Sequence, residues 1–150
     1  MSLDSRSAAR LAIVQALYQM EVAGKGLHEI FAEFESHWMG REIEGDQYKP
    51  AETAFFRDVL QGVLTDQHAI DQQIDRALSG GWPLARIETV MRATLRAGAY
   101  ELRARRDVPP RVVIKEYVDV AGAFFGPTES GMVNAVLDKI AREERAQEMS

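Results

Sequence analysis

The chain has 150 residues, no cysteine, 46% apolar and 27% charged residues, and a net charge of −5. That length suits one domain with a real core; the missing thiols exclude disulfides and cysteine-based zinc or iron–sulfur sites. No apolar run reaches the roughly 18 residues of a membrane span, and the first residues lack a signal-peptide core, so a cytoplasmic protein is expected.

Taken in chain order, the periodicity is helical. Asp4 or Ser5 is placed to cap a first helix that runs to about Ala23 on the stripe Ile13, Ala16, Leu17 and Met20. Gly24 and Gly26 end it, because glycine accepts the left-handed cap conformation. A second helix carries Leu27, Ile30, Phe31, Phe34 and Trp38, and Gly40–Pro50 reads as a surface loop. A long helical stretch from Ala51 to Leu78 is interrupted near Thr65-Asp66, either of which can cap a new helix. Ser79–Pro83 is a breaker, and the next helix is expected from Ala85 to Arg105. Pro110 fits the first turn of the helix after it, Gly126-Pro127 stops that helix, and Thr128 is the expected cap of the last one. The tail from Ala146 is expected to fray. The grouping on either side of Gly80 suggests two packed subdomains within a single domain spanning 1–150.

Charge is unevenly spread. Residues 76–115 hold nine basic and three acidic residues, whereas 19–75 hold four basic and twelve acidic. Separate faces for separate partners are one reading; charge covering solvated helix faces is the plainer one. His28, His37 and His68 are not at metal-ligand spacing, and no phosphate loop, dinucleotide fingerprint or nucleophile elbow occurs. Neither a catalytic constellation nor a metal or cofactor site is expected.

Five segments, read together, resemble the NusB family: Ala12–Tyr18; Phe55–Val63; Leu95–Leu102 followed by Asp107-Val108-Pro109; Val113–Tyr117 leading to Phe124-Phe125-Gly126; and Val133–Ile140. Their order and spacing cover about Ser5 to Arg145. A similar domain is fused to some ribosomal RNA methyltransferases, for which this chain has no room. The resemblance implies an all-α NusB-like fold of two packed three-helix subdomains. It also implies a non-catalytic RNA-binding factor of transcription antitermination. Such a factor pairs with NusE, a small-subunit ribosomal protein, and binds the boxA element of nascent RNA, notably of ribosomal RNA operons, for the RNA polymerase antitermination complex. A helical protein–protein module or homodimer without RNA, using apolar residues around Trp38 and Trp82, is the alternative.

The resemblance places RNA contacts at Arg6 and Arg10, four apart on the first helical turns, and in the turn Thr128, Glu129, Ser130 and Met132. There Gly131 and Met132 replace the family's usual basic and aromatic residues. Tyr18 either stacks on an unpaired base or plugs the core with its hydroxyl outward. Asn134 belongs to the same RNA-facing segment, yet an asparagine inside a helix is as readily explained by a hydrogen bond to a neighbouring backbone. Glu88 and Arg92 are the expected NusE contacts. Arg57, Asp58, Arg96, Tyr100 and Glu101 are expected to form internal polar pairs.

Overall fold

The computed structural model describes residues 5–39, 50–78 and 87–149. Seven helices and no strand occur among them. Asp4 as a cap, the Gly40–Lys49 loop, the 79–83 breaker, Trp82 and the side chain of Trp38 lie outside the described residues.

Helix α1 (Ser5–Ala23) buries Ala9, Ala12, Ile13, Ala16 and Leu17, one stripe at helical spacing. It stops where Gly24 turns to φ +69°, a conformation that side chains with a Cβ rarely adopt. Helix α2 (Leu27–Met39) lays Phe31 and Phe34 on Phe56 of α3 (Pro50–Thr65), with the Phe34 and Phe56 rings stacked at 5.5 Å. Pro50 opens α3, where its missing N–H costs nothing. The expected break falls at Asp66, the N-cap of α4 (Gln67–Ala77), but the Asp66 side chain makes no capping hydrogen bond.

Helix α5 (Thr89–Ala104) is the central element and packs on α1, α3, α4, α6 and α7. It begins later than Ala85 because Glu88 caps it: the Glu88 carboxylate accepts from the Val90 N–H at 3.1 Å. Pro110 stands at the first position of α6 (Pro110–Phe124), as its fixed φ favours. Helix α7 (Pro127–Glu144) is capped by Gly126, not Thr128. Pro127 takes the first helical position and draws Thr128 inside the helix. The two expected groups are α1–α3 and α5–α7, with α4 packed on α5 and α7, and one apolar cluster runs through both.

Residues 146–149 continue as hydrogen-bonded turns after α7. The N–H groups of Glu148 and Met149 bond the Arg145 carbonyl, and Met149 is 2% exposed. Arg145 explains this order. Its guanidinium is buried and donates to the carbonyls of Glu101 and Leu102 at 2.9 Å, and also to those of Arg105 and Val108. The Leu102 carbonyl is among the last of α5, which the helix end leaves without helical partners, and a cation suits the negative pole of that helix. Burial pushes the Arg145 pKa below its ordinary value. Gln73 of α4 is a second tie: it donates to Glu143 and Glu144 of α7 and accepts from Arg103 of α5.

Candidate functional site

The two arginines expected to share a face part company. Arg10 is 2% exposed. Its Nε and Nη2 donate to both oxygens of Glu101 at 2.9 and 3.0 Å, and Nη1 donates to Glu116 at 3.0 Å. The Tyr117 hydroxyl donates to the same Glu101, and Ser7 donates to Glu116 at 2.8 Å. One buried guanidinium therefore ties α1 to α5 and α6, and Arg10 belongs to the core, away from any ligand surface. Burial works against its charge, but the hydrogen bond and field of Glu101 outweigh burial and hold its pKa above the ordinary value.

Arg6, one turn earlier, keeps 28% of its side chain exposed. Its Nε donates to Glu52 at 3.3 Å, and its guanidinium carbon lies 4.2 Å from the centroid of the Phe55 ring. Glu52 and Phe55 are buried, so they form a rigid seat under a half-exposed cation. Tyr18 is 36% exposed at the far end of α1 and is not sunk in the core.

At the start of α7, Thr128 is exposed, while Glu129, Ser130 and Met132 are half-buried. The Ser130 hydroxyl lies against Gly122 of α6, where an added Cβ would stand 3.5 Å from it. Thr128, Glu129 and Met132 of α7 line an apolar groove of about 710 Å³ that Glu88 and Met91, at the start of α5, also line. Residues expected for RNA thus meet a residue expected for the protein partner. The Asn134 side chain is exposed and makes no hydrogen bond among the described residues, so it does not tie α7 to a neighbouring backbone. The side chain lies on the outer face of the helix, out of reach of the core.

Arg92 bonds Glu21 of α1, the Ile87 carbonyl and, at 3.1 Å, the Thr89 hydroxyl. Arg96 forms a two-pronged pair with Asp71 at 2.8 and 2.9 Å. Arg57 pairs with Glu35, and Asp58 accepts from the Tyr100 hydroxyl at 2.9 Å. The internal polar pairs therefore exist, but mostly between helices and with other partners than sequence neighbours suggest. No group of three or more histidines, aspartates and glutamates at metal-binding spacing occurs among the described residues, and no helix there is long and apolar enough to cross a membrane.

Burial, then the hydrogen bond to Asp58, pushes the Tyr100 pKa up to about 12; burial and then the field of Glu101 raise Tyr117 well above the ordinary value. Both phenols are protonated in folded and unfolded chains below pH about 10, so their contribution to stability is complete there. It is lost as pH rises from about 10 through the folded-state values. Phenolate absorbance during an alkaline titration is expected to show a late step that coincides with unfolding, and Tyr117→Phe is expected to shrink it. A tyrosine titration finished before unfolding begins would contradict this.

A helical body whose buried charges are consumed in structural bonds, and whose surface offers a seated arginine near the C-terminal end of α5 and an apolar groove at its N-terminal end, is a binding adaptor in class. Comparison with known sequences makes the class specific. The chain belongs to the NusB family, whose model matches residues 7–142. A transcription antitermination protein NusB of Rhodopseudomonas palustris is 67% identical over 98% of this chain and 87% of that relative. That of Bradyrhizobium diazoefficiens is 66% identical over 97% and 88%. Among solved structures, T. maritima NusB superimposes with a TM-score of 0.80 at 29% identity, covering 99% of this chain and 98% of that one. A structure of antitermination factors NusB and NusE in complex with dsRNA shares the fold, with a TM-score of 0.77 at 22% identity over 95% and 99%. The family is one of transcription antitermination factors, which are adaptors and not catalysts.

Proposed function

We propose that the protein binds the boxA element of nascent RNA, notably of ribosomal RNA operons, as a heterodimer with NusE, within the RNA polymerase antitermination complex of the cytoplasm. The observation that carries this reading is the shared groove: Glu88 lines it together with Thr128, Glu129 and Met132. A polypeptide on one wall and a transcript on the other would touch each other there. Arg6, Tyr18, Ser130 and Asn134 complete the RNA-facing set, and Arg92 is assigned to the partner side. The net charge of −5 fits an adaptor that grips RNA weakly alone and relies on a basic ribosomal protein for further phosphate contacts.

Fluorescence anisotropy with labelled boxA RNA tests the reading. NusE is expected to tighten binding, and a scrambled RNA is expected to bind less well. Arg6→Ala is expected to weaken RNA binding roughly fivefold, about 1 kcal/mol, and to leave NusE pairing intact. Equal binding of boxA and scrambled RNA, unmoved by NusE, would refute it.

A further inference from the structure

Three guanidiniums surround one phenyl ring. The guanidinium carbons of Arg6, Arg10 and Arg105 lie 4.2, 5.2 and 5.2 Å from the Phe55 centroid. Arg10 is spent in the core, but Arg6 and Arg105 keep 28% and 26% of their side chains exposed. They come from different elements, the start of α1 and the C-terminal cap of α5, and both lie against the buried Phe55 of α3.

The partners of Arg105 are weak anchors. It pairs with Asp107 at 3.0 Å and with Asp58 at 3.4 Å, carboxylates that are 60% and 39% exposed. Such pairs hold little free energy in water. Asp58 is also occupied by the Tyr100 hydroxyl. The Nε of Arg105 is buried with no hydrogen-bond acceptor, so its present pose leaves one donor unsatisfied. A guanidinium in this state gains from exchanging a solvated carboxylate for a phosphate, which accepts two parallel N–H groups.

We propose that Arg105 is a second phosphate contact, paired with Arg6 across the Phe55 ring, so that the two cations hold neighbouring phosphates of one RNA strand. Phe55 acts as a positioning residue that fixes their separation through its π face. The inference rests on the RNA-binding reading of Arg6 and extends the track toward the α5–α6 turn, where no RNA contact was expected from sequence.

Salt dependence of RNA binding tests it, because each lost phosphate contact lowers the slope of log K against log salt by about 0.7 for a single strand. With the full chain, NusE and boxA RNA, Arg105→Gln and Arg6→Gln are each expected to reduce the slope by about that amount, and the double variant by about twice as much. Arg105→Lys, which keeps the charge, is expected to retain the slope. Asp107→Asn, which frees Arg105 from its exposed carboxylate, is expected to tighten binding severalfold. A variant that only loosens the fold changes the folded fraction and leaves the slope alone. An unchanged slope in Arg105→Gln, with Arg6→Gln lowering it, overturns the pair and leaves the RNA reading intact. Failure of the parent protein to bind boxA RNA overturns the reading and the pair together.

Discussion

Replacing Arg10 with alanine is expected to lower the free energy of unfolding by about 3–5 kcal/mol, the cost of breaking a buried ion pair from one side. That is a large share of the roughly 5–15 kcal/mol that holds an ordinary domain together. The cost arises on the partner. Glu101 is 0% exposed and takes two bonds from Arg10, so its carboxylate would be left in the core with only the Tyr117 hydroxyl as donor. Glu116 and Ser7 would lose their third member as well. Arg10→Met with Glu101→Leu removes the orphaned charge and is expected to recover much of the loss. Denaturant unfolding of the two single variants and the double variant measures the coupling. If Arg10→Ala costs less than about 1 kcal/mol, the pair does not carry the α1–α5–α6 junction. Arg6→Ala is expected to cost less, because its bond to Glu52 is single and longer, at 3.3 Å, and Arg6 itself is partly exposed.

The second large effect is expected at Gly62, where α3 crosses α5. A Cβ there would stand 2.0 Å from one ring carbon of Tyr100 and 2.6 Å from its hydroxyl oxygen. The ring cannot simply swing away. It is 7% exposed, and its hydroxyl is tied to Asp58, one helical turn before Gly62. Gly62→Ala is therefore expected to cost about 3 kcal/mol, at the upper end of ordinary overpacking. Removing the obstructing ring as well, with Tyr100→Leu, is expected to make the alanine tolerable. The opposite sign is expected at Gly131 of α7, where nothing lies within 4 Å of an added Cβ. There alanine gains about 0.5–1 kcal/mol from the rigidity of the helix. Thermal melts of the two glycine variants separate a packing glycine from a merely flexible one. A Gly62→Ala protein as stable as its parent would contradict the tight α3–α5 crossing.

The stripe on α1, the left-handed stop at Gly24, the break at Asp66 and Pro110 at a helix start were legible because each is a local choice: helical spacing, a positive φ, an apolar stripe interrupted at Gln67 after a possible capping residue, a fixed proline ring. Arg10 was misplaced for a different reason. Two arginines four apart do share a face of an isolated helix, but Arg10 also lies three before Ile13 and seven before Leu17, on the buried stripe. That spacing was the available signal that one arginine turns inward. Glu101, between buried Tyr100 and Leu102, was the matching signal on α5. The roles of Arg145, Gln73 and Glu52 left no such trace, because each acts on an element distant in sequence. A cap supplied 44 residues away is decided by packing, not by local pattern. The same holds for the groove that brings Glu88 and Thr128 together.

The charge pattern reads differently with the fold in view. Of the basic residues in 76–115, Arg92, Arg96, Arg103, Arg105 and Arg106 all engage carboxylates, mostly on other helices. The excess of positive charge in that stretch answers the acidic excess of 19–75 and of the last helix, so most of it joins helices to one another. Arg6 and Arg105 share one supporting ring, Phe55, and water still reaches both.

Transcription through a terminator placed downstream of boxA, in a cell extract depleted of this protein, tests the central claim most directly. Adding the purified chain back is expected to restore read-through on the boxA template and not on one with boxA scrambled. Read-through that is the same with and without the chain, or that ignores the boxA sequence, would contradict the account.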